Sequence, residues 1–161
     1  MSERHNVHAT GLVLGGKGLI LRGPSGSGKS RLALALLDAW EARGLAARLV
    51  SDDRIDIEAT GPGLVMHAPP AIAGLIELRG RGIVSRPYLA KARLHLVVDL
   101  VTRLDRLVEE EDLRTELLGV PLPRAPVPKV GIAELGHQLL LVAEALRALS
   151  APRSKARQKS T

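Results

Sequence analysis

Eight consecutive residues, Gly23-Pro24-Ser25-Gly26-Ser27-Gly28-Lys29-Ser30, match the phosphate-cradling pattern G-x-x-x-x-G-K-[ST] at every fixed position. Glycines let backbone N–H groups turn inward around an anion, and the start of a following helix adds the positive end of its dipole. Lys29 adds a mobile cation for the outer phosphates of a nucleotide, a role that calls for an exposed ammonium, and Ser30 is placed to offer its hydroxyl to Mg2+. A second group able to do chemistry is the pair Asp52-Asp53. Two adjacent carboxylates at a strand end point to different sides, so one can serve Mg2+ and its water shell while the other meets an attacking hydroxyl. His8 adds an imidazole. Glu77 adds a carboxylate in an apolar segment beside two arginines, either salt-bridged or part of a site.

These groups need elements to position them. The apolar run Leu19-Ile20-Leu21 reads as a strand entering the loop, and residues 29–43 read as a helix leaving it, stopped by Gly44. Residues 7–14 and 17–22 form two strand-like runs joined by Gly15-Gly16, a dipeptide suited to a primed two-residue turn. That hairpin places His8 across from Gly23, or across from Ser25 after a one-residue shift, beside bound phosphates in either register. Residues 46–51 read as a strand ending at Asp52-Asp53, and a right-handed crossover brings that end to the loop.

Farther along, residues 54–59 and 64–68 suggest a hairpin around Gly61-Pro62-Gly63, and Pro69-Pro70 breaks the pattern. Residues 71–78 form a short apolar segment running into Arg79-Gly80-Arg81-Gly82-Ile83, a flexible basic stretch. Residues 93–104 read as a strand containing His95 without chemistry, and residues 109–112 as a solvated acidic face. Prolines 121, 123, 126 and 128 mark an extended connection. The amphipathic helix expected over 132–149 packs back on the body, which makes residues 1–149 one domain and residues 150–161 a disordered basic tail.

Composition narrows the function classes. Of the net charge of +6, Arg153, Lys155, Arg157 and Lys159 in the tail carry four, so the body is only weakly basic. With Trp40 and Tyr88 as the only aromatics, stacking platforms for nucleic-acid bases are excluded. The absence of cysteine excludes disulfides, thiol nucleophiles and cysteine-ligated zinc. The polar start and the lack of a long apolar run predict neither nucleic acid nor membrane as partner, and a cytoplasmic location. Asn6 is the only asparagine, so the N-K-x-D base-reading motif of a GTPase switch is missing.

Over residues 7–149 the chain resembles the catalytic domain of the HPr kinase/phosphorylase family, serine kinases of the HPr protein in the sugar phosphotransferase system. The resemblance rests on His8 fifteen residues before the loop and on the loop itself. It continues through Arg48-Leu49-Val50-Ser51-Asp52-Asp53-Arg54-Ile55-Asp56-Ile57, Ala68-Pro69-Pro70, and Ile76-Glu77-Leu78-Arg79-Gly80-Arg81-Gly82-Ile83, which looks like the signature E-[IL]-R-G-x-G-[IL]. It implies that His8, Lys29, Asp52 and Arg106 are catalytic, with Asp52 the base in phosphorylation and the acid in the reverse reaction. Ser30 and Glu77 would lie on Mg2+, and Asp53 is the carboxylate of the pair assigned to the metal. The implied fold is a mixed β-sheet with flanking helices akin to phosphoenolpyruvate carboxykinase. The implied cofactors are ATP and Mg2+, the partner an HPr-like phosphocarrier protein, and the assembly a hexamer.

The chain departs from the family pattern in three places. It begins seven residues before His8, as a form without the N-terminal domain of larger members. Arg81 stands where an aliphatic residue is usual. Val127-Pro128-Lys129-Val130-Gly131-Ile132 has Ile132 where the motif P-V-[KR]-x-G-R ends in Arg, so the dephosphorylation half of the activity is expected to be weak. The rival readings are a kinase of a small-molecule hydroxyl, which the loop and Asp52 would serve equally well, and a non-enzymatic ATP-binding regulatory module.

Overall fold

A stretch of strand buried on both faces must be apolar at every position, and Gly18 to Leu21, the buried middle of Lys17–Arg22, meets that demand with alternating partners. Leu19 and Leu21 join one buried cluster and Ile20 another. The same alternation in Leu12, Val13 and Leu14, and in Leu96, Val97 and Val98, defines a central sheet sandwiched between two cores. The structure, a computed structural model, describes residues 3–150. Its strands are β1 (Arg4–Val7), β2 (Ala9–Leu14), β3 (Lys17–Arg22), β4 (Ala47–Ser51), β5 (Ile55–Thr60), β6 (Gly63–His67), β7 (Leu75–Leu78), β8 (Gly82–Ser85), β9 (Lys91–Leu94), β10 (Leu96–Val101), β11 (Arg114–Leu117) and β12 (Val120–Pro128). Two helices, α1 (Lys29–Ala42) and α2 (Leu135–Ser150), complete the element list with two short 3-10 turns.

The central sheet has six strands in the order β11-β12-β10-β3-β2-β4. It is mixed: β10 pairs parallel with β3 and β12, whereas β2 pairs antiparallel with β3 and β4. Helices α1 and α2 cover one face through Leu32, Leu36, Val142 and Leu146. A second sheet, β1-β5-β6-β9, covers the other face through Ile55, Ile57, Leu64 and Met66. The remaining hairpin, β7 and β8, packs Ile76 and Val84 into the helix-side core.

The β2–β3 hairpin has the expected register, with Leu14 opposite Lys17 and Ala9 opposite Arg22, and its turn glycines take φ of 57° and 84°. Helix α1 stops where expected. Gly44, at φ 75°, donates to Glu41 O (2.9 Å) while Leu45 donates to Trp40 O (3.0 Å), the paired bonds of a left-handed C-terminal cap.

Elsewhere the structure corrects the expectations. Residues 7–14 are not one strand: Val7 ends β1 in the outer sheet and β2 begins at Ala9 in the central one, with His8 at the switch. The run 93–104 is split in the same way at His95, between β9 and β10. Residues 79–83 are not a flexible stretch: 79–81 form a tight connection, with Arg81 N–H donating to Leu78 O at 2.9 Å, and Gly82 and Ile83 already belong to β8. The acidic run 109–112 mostly falls in a 3-10 turn, Glu110–Leu113, closed by a capping box from Glu109. Helix α2 starts at Leu135 rather than 132 and includes Ser150; residues 151–161, the expected tail, lie outside the described residues.

The largest correction concerns the prolines, which build β12, a strand inside the central sheet. Residues 120–123 pair with β11 and residues 124–128 with β10. The prolines are odd-numbered in the first half (121, 123) and even-numbered in the second (126, 128). Because successive N–H groups point to opposite sides, this change of parity lets every proline turn its missing donor away from the strand it lies beside.

At the β9–β10 switch, His95 Nδ1 accepts the backbone N–H of Gly18 at 3.0 Å, and the backbone N–H of His95 donates to Gly18 O at 2.8 Å. Burial, with Lys17 and Arg93 nearby, pushes the His95 imidazole below its ordinary range. The unfolded chain therefore binds a proton near pH 6.5 that the folded chain resists, and stability falls as pH drops below that value towards the folded pKa. Thermal unfolding is expected to give a lower Tm at pH 5 than at pH 7. The gap should shrink in His95→Asn, whose side-chain oxygen preserves the acceptor without a titration; an unchanged gap would refute the assignment.

Candidate active site

The central parallel pair β3 and β10 fixes where chemistry can occur, because chain segments leaving their carboxyl ends emerge at one edge of the sheet. Residues 23–30 leave β3 at that edge and enter α1 at Lys29. Gly26 and Gly28 stand at φ of 82° and 92°, a region that side chains disfavour, and at Gly28 a Cβ would also meet Val130 at 3.2 Å. The loop is drawn tight by Ser27 N–H donating to Pro24 O at 3.1 Å.

Lys29 is not exposed as expected. Its side chain is only 5% accessible, and Nζ donates to Gly23 O (2.6 Å) and Pro24 O (3.3 Å). The ammonium also stands 4.0 Å from Asp53 Oδ1, so it braces the loop from within while facing the acidic pair.

Strand β4 delivers Asp52 and Asp53 to the loop as the crossover argument requires, although β2 lies between β3 and β4. The two carboxylates are in different situations. Asp52 Oδ1 accepts the hydroxyls of Ser30 (2.8 Å) and Thr10 (3.0 Å), and Oδ2 accepts the N–H of Glu77 at 3.2 Å. Asp53 has a half-exposed side chain whose Oδ1 lies 2.6 Å from His8 Nε2. Its backbone is left-handed, φ 66°, and its N–H donates to Thr10 Oγ1 at 3.0 Å.

These residues open onto a cleft of about 530 Å3 lined by the loop, both aspartates, Glu77, Arg79, Ile83 and Val130. Glu77 is directly opposite Ile83 in the β7–β8 pair, so both share one face, while Ile76 is buried on the other. Arg79 lines the cleft; Arg81, in the connection of that hairpin, does not. Arg106 sits exposed on the segment after β10, outside the cleft lining. The structure thus gathers His8, Lys29, Ser30, Asp52, Asp53 and Glu77 and leaves Arg106 apart.

Three contributors escaped the sequence reading. Thr10 is fully buried between the two aspartates, and a lone hydroxyl in the apolar run of β2 was the available signal. Val130 abuts Gly28 and its N–H reaches Ser27 O at 3.5 Å, a proximity no local pattern announces. Asp99, an acid in the apolar run of β10, receives Arg22 Nε (2.7 Å) and Nη2 (2.9 Å) and Arg124 Nε (2.6 Å) at the base of the loop. Burial pushes the Asp99 carboxyl up, but hydrogen bonds from both guanidiniums more than reverse this and hold it below the ordinary carboxylate range. Donating to Asp99 in turn raises the Arg22 guanidinium above its ordinary value, against the cost of burial.

Residues 1–150 match the family model described as HPr Serine kinase C-terminal domain. The chain belongs to this family. It is 33% identical over 145 residues to the HPr kinase/phosphorylase of Lactobacillus acidophilus, covering 81% of this chain and 43% of that protein. It is 36% identical over 135 residues to HPr kinase/phosphorylase 1 of Oceanobacillus iheyensis, covering 76% and 41%. The chain therefore spans less than half the length of these curated relatives. Among solved structures it is similar to the HPr(Ser) kinase/phosphatase of Coxiella burnetii, with TM-score 0.72 and 25% identity over 91% of this chain and 99% of that one. The mixed α/β architecture with flanking helices is that of the HPr kinase family. No helix among the described residues is long and apolar enough to cross a membrane.

The bracing role of Lys29 gives a stability prediction separable from any activity. Lys29→Ala removes two hydrogen bonds from a buried cation to loop carbonyls, and is expected to lower unfolding free energy by about 1–3 kcal/mol in urea titrations. A variant as stable as the parent would show that the bonds do not hold the loop.

Proposed function

We propose that this chain is an ATP-dependent protein-serine kinase domain acting on an HPr-type phosphocarrier protein, with residues 23–30 as its phosphate-binding loop and a fold akin to phosphoenolpyruvate carboxykinase. The observation that carries the proposal is the division of labour between the two aspartates: Asp52 is tied to the hydroxyl of Ser30, and Asp53 faces the cleft half-exposed, its carboxylate held by His8. Loop N–H groups and Lys29 bind the phosphates. Ser30, Asp52 and Glu77 supply oxygens that fit Mg2+, an ion that takes one or two carboxylates and keeps waters and phosphate oxygens. When bound, the ion neutralises charge on the transferring oxygens.

This reading exchanges the roles given above to the two carboxylates. All three donors reaching Asp52 draw its oxygens into the fold, whereas Asp53 is half-exposed and its carboxylate is oriented by His8. Asp53 accepts the proton of the serine hydroxyl as its oxygen bonds to the γ-phosphorus and the bond to the ADP oxygen breaks. Arg106, outside the cleft lining, can act only if the segment after β10 moves or the bound partner draws it in. Arg79, on the cleft wall, is the cation at hand for the transferring charge.

Incubation with labelled ATP and HPr, set against a panel of small alcohols, tests the function: label on a serine of HPr is expected, and label only on an alcohol would favour a small-molecule kinase. Asp53→Asn is expected to lower kcat by about 10²–10⁴ while raising KM for Mg-ATP little. The fold should survive, because asparagine also tolerates the left-handed conformation. Asp52→Asn is expected mainly to weaken Mg-ATP. The reverse pattern would return the base role to Asp52.

Direction follows from charge. Attack of inorganic phosphate on phosphoserine brings anions together and needs added cations, yet Ile132 stands exposed in the segment after β12 and Arg81 lies off the cleft. With phosphoserine-HPr and excess phosphate, release is expected to be much slower than forward transfer; comparable rates would overturn this.

A further inference from the structure

We infer that Thr10 is a positioning residue that sets the geometry of both carboxylates through one hydroxyl. The inference rests on the kinase reading for its kinetic consequence but not for its structural one. Asp52 Oδ1 can only accept, so at 3.0 Å Thr10 must donate to it. The N–H of Asp53 can only donate, so at 3.0 Å Thr10 Oγ1 must accept from it. The hydroxyl therefore has one proton orientation, fixed from both sides. Thr10 is fully buried, so water cannot substitute for either bond.

Each bond has a distinct effect. Donation to Asp52 leaves that carboxylate aligned to take the Ser30 hydroxyl on the same oxygen. Acceptance from Asp53 ties down a backbone at φ 66°, a conformation that a non-glycine residue holds only when its surroundings enforce it. Asp53 is then gripped at two points by one stretch of chain, its N–H by Thr10 and its carboxylate by His8, two residues apart. Without the hydroxyl, the Asp53 N–H loses its acceptor and the backbone relaxes, swinging the carboxylate from the imidazole. Thr10 touches no reacting atom and acts only through its neighbours.

The test compares Thr10→Val, Thr10→Ala and Thr10→Ser, with Asp53→Asn as reference. In the protein without nucleotide, at one fixed pH, the ring resonances of His8 report whether Asp53 is in place. Thr10→Val and Thr10→Ala are expected to move them in the direction that Asp53→Asn does, and Thr10→Ser to leave them at parental positions. Thr10→Ala carries the comparison with Thr10→Ser should the valine variant not fold. In the HPr assay, Thr10→Val is expected to lower kcat by about 10- to 100-fold, as for misplacement of a catalytic group. KM for Mg-ATP should rise as well, because the same substitution removes the donor that aligns Asp52, and Thr10→Ser should restore both parameters. Parental His8 resonances in both hydroxyl-free variants would overturn the inference, as would a serine variant displaced as far as valine. Absence of HPr phosphorylation in the parent protein would instead defeat the kinase reading and leave the resonance test to decide the role of Thr10.

Discussion

The carboxylate of Asp52 accepts hydrogen bonds from three separate parts of the chain: Thr10 on β2, Ser30 at the start of α1, and the backbone of Glu77 on β7. Strand β4 contributes the carboxylate itself. The phosphate-type loop, the hairpin that walls the cleft and the strand that follows His8 are therefore referred to a single point. A carboxylate accepting several hydrogen bonds is well satisfied away from bulk water, and each bond is stronger for being charge-assisted. The arrangement explains how a small domain with almost no aromatic side chains can hold polar groups in fixed relation: the frame is aliphatic, and its precision at the site comes from one shared acceptor.

Around that point, two sheets and two helices share the work unequally. The helix-side core carries the loop, because α1 grows directly out of it and packs Leu32 and Leu36 beneath. The outer sheet has a different duty. Its β1 and β5 flank the switch at His8 and the exit from Asp53, so the imidazole and the carboxylate meet where the chain passes between layers. The Asp99 cluster with Arg22 and Arg124 performs the same service at the base of the loop, tying together β3, β10 and β12.

Much of this was legible in the residues. The loop, the glycine-turned hairpin, the stop of α1 at Gly44 and the mixed character of the sheet all follow from local signals that act over a few residues. What could not be read had nonlocal causes. The passages between sheets at His8 and His95 carry no glycine or proline to mark them, since an extended chain crosses from one layer to another without changing its alternation. The exchange of roles proposed for Asp52 and Asp53 rests on which neighbours supply donors, and two of the three come from 42 and 25 residues away. Arg106 entered as a site residue through resemblance alone, and no pattern in the sequence tells that it lies outside the cleft lining. Thr10 was overlooked because a hydroxyl in a buried strand looks like tolerated polarity until its partners are known.

The proline strand β12 has a consequence beyond accommodating its missing donors. In an ordinary strand, sliding by one residue exchanges one full set of backbone bonds for another, and the ladder resists the slip mainly through its side chains. Here a slip of one residue would aim tertiary amide nitrogens at β10 and β11, where each would delete a bond, so a misaligned sheet is penalised at four positions at once. The prolines work as a ratchet that admits a single alignment. Since Lys129 and Val130 continue from the end of that strand to the back of Gly28, the alignment of β12 also sets how far the chain reaches behind the glycine-rich turn.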